Sequence, residues 1–243
     1  MIISKTRALR MIKAIFFDWF NTLADFEPPR YQLYCQVFRE FGIELPPEKV
    51  RRSIVIADQY YFEENAKLPV AERSPEEQLK LYLSYPNTIL SEAGVKAPKD
   101  LPLKVMKRVT EQFKRVNFVL FDDVLSTLKA LKKRNFILGL LTNLDSDMGP
   151  ICRKLELEPY LDFVVTSKEA GADKPKPPIF RAALVKAGVN TSEAVHVGDQ
   201  YQLDVIGARG VGIKPVLLDR YDIYPEVSDC PRIHSLAELA QHL

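Results

Sequence analysis

Cysteine is scarce in this chain, and its placement excludes more than its number does. Cys35, Cys152 and Cys230 lie far apart with no Cys-x-x-Cys spacing, so neither a disulfide framework nor a cysteine zinc site is indicated, and a reducing cytoplasm is the expected compartment. Histidine is as rare. His196 stands alone and reads as a strand filler, while His234 and His242 fall near the terminus, so no cluster suggests zinc. No window approaches the roughly 20 apolar residues of a membrane span, and residues 1–10 lack an apolar run of signal-peptide length. Met11 stands immediately before Ile12-Lys13-Ala14-Ile15, which makes residues 1–10 an expected extension or a misassigned start. A dominant charge is missing too. Lys and Arg total 34 against 32 Asp and Glu, and the net +2 gives no basis for a nucleic-acid or anionic-membrane partner. Internal repeats and low-complexity tracts are absent. What remains is 243 residues, 47% hydrophobic and 27% charged, enough to bury a substantial core and compatible with a domain that carries an insertion.

Two segments present acids in the manner of an α/β sheet. In Phe16-Phe17-Asp18-Trp19-Phe20-Asn21-Thr22-Leu23, the apolar run from Ala14 to Phe17 delivers Asp18 to the end of an expected buried strand. The stretch from Val195 to Asp204 repeats the plan, with a strand, Gly198, Asp199 at the strand's carboxyl end and Asp204 five residues further on. Between them, Leu140-Leu141-Thr142-Asn143 places a hydroxyl after a third apolar run, and Lys174 precedes Pro175 with Lys168 and Lys176 as alternatives. Ligands of open α/β sheets bind beyond the carboxyl ends of the strands, so Asp18, Thr142 and Asp199 are expected to converge there.

The rest of the chain sorts into two kinds of pattern. Pro28-Pro29 ends any regular element and marks a boundary. Helical periodicity follows. Tyr31, Tyr34, Cys35, Phe38 and Phe41 share a face, Pro46-Pro47-Glu48 opens a second helix, and Ser74-Pro75-Glu76-Glu77 reads as a capped start for a third that Pro86 breaks or kinks. A fourth helix is expected from about Lys99 to Lys114. Thereafter strands and helices alternate: helix 124–133, strand 136–141, helix 147–155, strand 163–166, helix 178–187, strand 194–197, helix 203–209 and strand 214–218. Such alternation predicts a Rossmann-like parallel sheet with helices on both faces. The predicted organisation is a discontinuous core, residues 1–27 and 116–243, interrupted by a helical domain over 28–115, an insertion of roughly 90 residues.

Four motifs in this order resemble the haloacid dehalogenase (HAD) superfamily, whose signature is Asp-x-Asp-x-Thr, then Ser or Thr, then Lys, then Gly-Asp with a further Asp. The chain supplies Asp18 and Thr22, Thr142, Lys174, and Asp199 with Asp204. The resemblance implies a hydrolase with a helical cap in which Asp18 is the nucleophile and forms an aspartyl-phosphate. It implies that Thr142 and the backbone around Asn143 hold phosphoryl oxygens, and that Lys174, oriented by Asp204, neutralises charge. Asp18, Asp199 and the main-chain carbonyl of Phe20 are the implied ligands of Mg²⁺, a hard cation suited to oxygen donors. Trp19 and Phe20 are expected to wall the entrance, with the aromatics Tyr60, Tyr61, Phe62, Tyr82 and Tyr85 available to a substrate pocket in the cap.

Phe20 is the departure. Phosphatases of the superfamily carry there an aspartate that protonates the leaving oxygen, help typically worth about 10²–10⁴-fold. Two chemistries tolerate its loss: phosphoryl transfer from a leaving group that departs without a proton, and carbon–halogen cleavage, which releases halide. Three carboxylates against one lysine favour a divalent cation and a dianionic phosphate over an anionic haloacid, so a Mg²⁺-dependent phosphohydrolase of a small phosphorylated metabolite is expected, as monomer or homodimer. The alternatives are a 2-haloacid dehalogenase, with Arg51 or Arg52 to take the substrate carboxylate, a phosphonoacetaldehyde hydrolase relative using Lys49 or Lys67, and a catalytically weak protein that binds a phosphorylated ligand.

Overall fold

The computed structural model describes residues 11–113, 117–144 and 146–243. The expectations for residues 1–10, for Lys114 as a helix end and for the boundary at 115–116 lie outside the described residues. The chain divides into two compact units, one comprising the chain up to Trp19 with Asp122–Leu218 and Ser228–Leu243, the other Phe20–Phe121 with Asp219–Val227.

The elements in chain order are β1 (Ala14–Phe17), β2 (Ala24–Glu27), α1 (Arg30–Glu40), α2 (Pro47–Lys67), α3 (Pro75–Ala93), α4 (Leu101–Phe113), β3 (Asn117–Leu120), α5 (Val124–Lys133) and β4 (Ile137–Thr142). They continue with α6 (Gly149–Lys154), β5 (Phe163–Thr166), α7 (Ser167–Ala170), α8 (Pro177–Ala187), β6 (Ala194–Gly198), a π-helical turn (Tyr201–Ile206), α9 (Gly207–Gly210), β7 (Lys214–Leu218) and β8 (Arg232–Ile233). The first unit is built on a six-stranded parallel sheet in the order β5-β4-β1-β6-β7-β8. Its central strands β4, β1 and β6 are almost wholly buried and, His196 and Thr142 apart, carry no polar side chain, as strands covered on both faces require. Phe16, Leu141, Val165, Ile179, Phe180 and Ala208 meet in one core cluster. Strand order reverses about β1, with β4 on one side and β6 on the other, and that reversal leaves a crevice at the carboxyl ends of these three strands.

The second unit holds the four helices between β2 and β3, which pair antiparallel with Phe26 opposite Phe118. Its core joins Val37 and Phe38 of α1, Val50 and Ile54 of α2, Ile89 and Leu90 of α3, and Val105 and Val109 of α4. Ser74 and Glu77 close a capping box on α3, since the Ser74 hydroxyl accepts from Glu77 N–H and Glu77 accepts from Ser74 N–H. Among the described residues, no helix is long and apolar enough to cross a membrane.

Three sequence expectations are corrected. Pro86 does not break α3, which runs on to Ala93; the helix gives up the bond that Pro86 cannot donate, while Pro86, Ile89 and Leu90 stay buried and the Tyr85 hydroxyl donates to Asp58 of α2 at 2.8 Å. The buried face of α1 is Leu33, Tyr34, Val37 and Phe38, and Phe41 lies beyond the helix and is exposed. The expected helix over 203–209 is a π-helical turn followed by α9.

Candidate active site

Registry between strands brings the predicted residues to one edge. Phe17 lies level with Leu140 of β4 and Val197 of β6, so Asp18, Thr142 and Asp199 emerge at neighbouring strand ends. Asp18 N–H donates to the Val197 carbonyl at 2.9 Å and ties the two loops together. Thr142 is the last residue of β4, is buried, and its Oγ1 accepts from Leu144 N–H at 3.1 Å.

Lys174 joins this edge from the loop before α8. Asn143 grips its backbone on both sides: Lys174 N–H donates to Asn143 Oδ1 at 2.8 Å, and Asn143 Nδ2 donates to the Lys174 carbonyl at 3.2 Å. So anchored, the ammonium reaches Asp18 Oδ1 at 2.5 Å and Asp204 Oδ1 at 2.6 Å, with only 2% of its side chain exposed. Lys168 and Lys176 are exposed whereas Lys174 is buried, and burial selects Lys174 among the three. Asp204 is aimed inward by the π-helical turn, a device common where a helix must re-aim a functional side chain. Its Oδ1 also accepts from His196 Nε2 at 2.9 Å, and its Oδ2 from Gln200 N–H at 3.0 Å. Gly198 makes room for it, since a Cβ at that position would run into the Asp204 carboxylate.

The electrostatics follow from charge buried beside charge. Desolvation pushes the Asp18 carboxyl up to about 6 despite the Lys174 ammonium, and the nearby Asp204 charge adds to the rise. Asp204 is also desolvated, but Lys174 and the His196 hydrogen bond outweigh that and hold it well below the usual carboxylate range. Burial works against the Lys174 charge, yet the two aspartates keep it firmly protonated. Burial pushes His196 down, and because the Asp204 carboxylate can only accept, the 2.9 Å contact places an N–H on Nε2.

One oxygen each of Asp18, Asp199 and Asp204 lies within 4.8 Å of the others. Three carboxylates against a single ammonium leave negative charge that a hard divalent cation, with its preference for oxygen donors, would balance. The acidic triad could hold such an ion, while Asp204 also serves Lys174, His196 and Gln200.

A family model for haloacid dehalogenase-like hydrolases matches residues 12–212, the span that carries all of these groups. The chain belongs to the haloacid dehalogenase-like hydrolases. Over 230 residues it is 29% identical to haloacid dehalogenase-like hydrolase domain-containing protein 3 of Danio rerio, covering 94% of this chain and 93% of that one. Glyceraldehyde 3-phosphate phosphatase of Pyrococcus furiosus is 37% identical over 106 residues, 42% of each chain. The crystal structure of a 2-haloacid dehalogenase from Pseudomonas syringae pv. Tomato superposes with a TM-score of 0.53 at 26% identity, over 95% of this chain and 97% of that one. The relatives thus include both a phosphatase and a dehalogenase by name.

The remaining candidate residues are not members of the carboxylate cluster. Trp19 is wholly buried. Phe20 opens the second unit, where its ring packs on Phe26 at 4.8 Å between centroids and lies 4.7 Å beneath the Arg30 guanidinium. Lys49, Arg52 and Lys67 are exposed, whereas Arg51 is half-buried against Tyr31. Sequence reasoning missed the role of His196 as a donor to Asp204. The available signal was a lone polar residue inside an apolar strand, eight positions before a buried acid. It also missed that the Asn143 side chain is spent on the Lys174 backbone.

Proposed function

We propose that this HAD-like hydrolase is a Mg²⁺-dependent phosphohydrolase that acts through Asp18 on a small phosphorylated molecule. The observation that carries the reading is the buried Lys174 ammonium spanning Asp18 and Asp204 beside Asp199, an excess of negative charge that suits a dianionic phosphate only together with a divalent cation. Asp18 Oδ2, the oxygen not held by Lys174, forms the bond to phosphorus while the bond to the leaving oxygen breaks with its electron pair. Water then attacks the aspartyl-phosphate, freeing Asp18 and inorganic phosphate; covalent catalysis of this kind divides one hard displacement into two. The Thr142 hydroxyl and the N–H groups after it hold phosphoryl oxygens, and Lys174 neutralises the nucleophile and the incoming charge. Mg²⁺ held by Asp18, Asp199 and the Phe20 carbonyl would supply charge stabilisation at the phosphoryl oxygens. We assign catalysis to the first unit, and the choice and shielding of substrate to the helices between β2 and β3, a capping role that excludes water.

One observation favours a second reading. Phe20 offers no acid, and a dehalogenase is among the similar structures, so carbon–halogen cleavage by Asp18 is the competitor. Hydrolysis of p-nitrophenyl phosphate with Mg²⁺ and with chelator, beside 2-chloropropionate, separates the two, with Asp18→Asn as blank. Metal-dependent phosphate release is expected. Metal-independent halide release with no phosphate release would overturn the phosphohydrolase reading, and silence on both would favour a protein that binds a phosphorylated ligand without turning it over.

A further inference from the structure

Strand β6 is apolar except at one position. His196 lies between Val195 and Val197, wholly buried, level with Phe16 of β1 and Pro215 of β7. Its ring meets Phe180 of α8 edge to face, 5.2 Å between centroids and 88° between planes. Packing alone does not call for an imidazole here. Nδ1 is buried and makes no hydrogen bond to a described residue, so the ring forfeits solvation that an aliphatic side chain of similar volume would never have needed.

What the imidazole makes instead is one directed contact, from Nε2–H to Asp204 Oδ1 at 2.9 Å. That oxygen also accepts from the Lys174 ammonium at 2.6 Å, while Oδ2 accepts from Gln200 N–H at 3.0 Å. With two donors on Oδ1 and one on Oδ2, the carboxylate cannot turn without giving up a hydrogen bond. Directions alternate along a strand, so positions 196 and 198 face the same side of β6. One supplies the donor to Asp204 and the other the room for its carboxylate. The donor also competes: without it, Asp204 would spend its charge on Lys174 alone and draw the ammonium away from Asp18, which it now meets at 2.5 Å. All of these groups belong to the first unit. We propose that His196 is a positioning residue for the reaction, holding Asp204 so that Lys174 stays shared between that carboxylate and Asp18. This role rests on the phosphohydrolase reading above.

The test measures p-nitrophenyl phosphate hydrolysis with Mg²⁺ in the parent, His196→Leu and His196→Gln, and repeats His196→Leu in an Asp204→Asn background. Leucine fills the space without a donor, whereas glutamine offers an amide N–H at about the reach of Nε2; His196→Met, also without a donor, stands in if His196→Leu does not fold. His196→Leu is expected to lower kcat by about tenfold or more, the scale on which outer partners of charged site groups act, with KM changed by less than about twofold. Its melting temperature is expected to move by no more than about 4 °C. His196→Gln is expected to regain most of the lost kcat. In the Asp204→Asn background His196→Leu is expected to cost nothing further, because a residue that acts through another has no effect once that other is changed. An unchanged kcat in His196→Leu, or the same loss in both backgrounds, would overturn the proposal. So would equal losses in the two His196 variants joined to a large fall in melting temperature, the mark of a packing residue. A second readout needs no turnover: the NMR resonance of the Lys174 ammonium, assigned by its absence in Lys174→Met, is expected to move in His196→Leu and to return in His196→Gln. If the parent releases no phosphate, the phosphohydrolase reading falls; an ammonium resonance that stays put in His196→Leu would instead fell the placement of Lys174 by His196.

Discussion

Asp18 must carry a negative charge in a place that disfavours one. Its carboxyl is raised to about 6 by burial, so between about pH 4 and 6 the folded protein binds a proton more tightly than the unfolded chain. The sign follows: this contribution to stability is fullest below the unfolded value of 3.8 and is lost as pH rises through about 6. Asp204 is displaced the other way, and its contribution changes only at lower pH. In chelator, stability of the parent is expected to fall relative to Asp18→Asn across that window, by up to about 3 kcal/mol for a shift of this size. Urea melts at intervals from pH 4 to 7 measure it, and parallel profiles for the two proteins would refute the assignment. Phe20 invites a complementary experiment. Arg30 sits over its ring, so a carboxylate introduced by Phe20→Asp would meet a guanidinium and be held ionised, a poor proton donor. Turnover of alkyl phosphates is expected to rise more than that of aryl phosphates, yet by less than the ~10²–10⁴-fold typical of general acid catalysis; equal ratios before and after would count against it. The acids, Thr142 and Lys174 were legible in the sequence because each follows or precedes an unmistakable apolar run or proline. The partners that orient them were not, because His196 and Asn143 act through tertiary contacts between residues far apart in the chain.

Strand β6 shows how an element serves a single side chain. It ends on Gly198 because any Cβ there would occupy the space of the Asp204 carboxylate. Gly198→Ala is expected to leave the sheet folded, with β6 still paired to β1 and β7, but to push Asp204 off Lys174 and lower kcat by about 10²-fold, the cost of a misplacement near 1 Å. Thermal melts beside kcat separate this from unfolding, and an unchanged kcat would show that Asp204 can shift without consequence. Strands and helices with strong local periodicity matched their predicted limits closely, as for α5, β5 and β7. The failures have a common cause. Strands β2, β3 and β8 are too short to show a period, and β2 pairs with a partner beyond the whole helical segment. Pro86 misled because local propensity favours a break there, whereas the packing of α3 on α2 keeps the helix continuous.

For the whole molecule, the charge left over by Asp18, Asp199 and Asp204 makes stability depend on the cation. Saturating Mg²⁺ is expected to raise the melting temperature of the parent, because a ligand at about 100 times its Kd contributes about 2.7 kcal/mol to the folded state. The rise should vanish in Asp199→Asn; an equal rise in that variant would place the ion elsewhere. Alternating patterns and the paired prolines were enough to predict an α/β sheet interrupted by helices. They did not reveal that the short loop Asp219–Val227, downstream of β7, belongs with those helices. Arg220 in that loop donates to the Thr22 carbonyl at 2.9 Å and lies 4.0 Å over the Phe121 ring, near both ends of the long segment of the second unit. The chain therefore passes between its two units at residues 19–20, 121–122, 218–219 and 227–228. A recombination event that exchanged the 20–121 stretch between relatives as one piece of gene would deliver a unit without its closing stitch. Inheritance of such a cap must move two distant stretches of coding sequence together, or rebuild the stitch after the exchange.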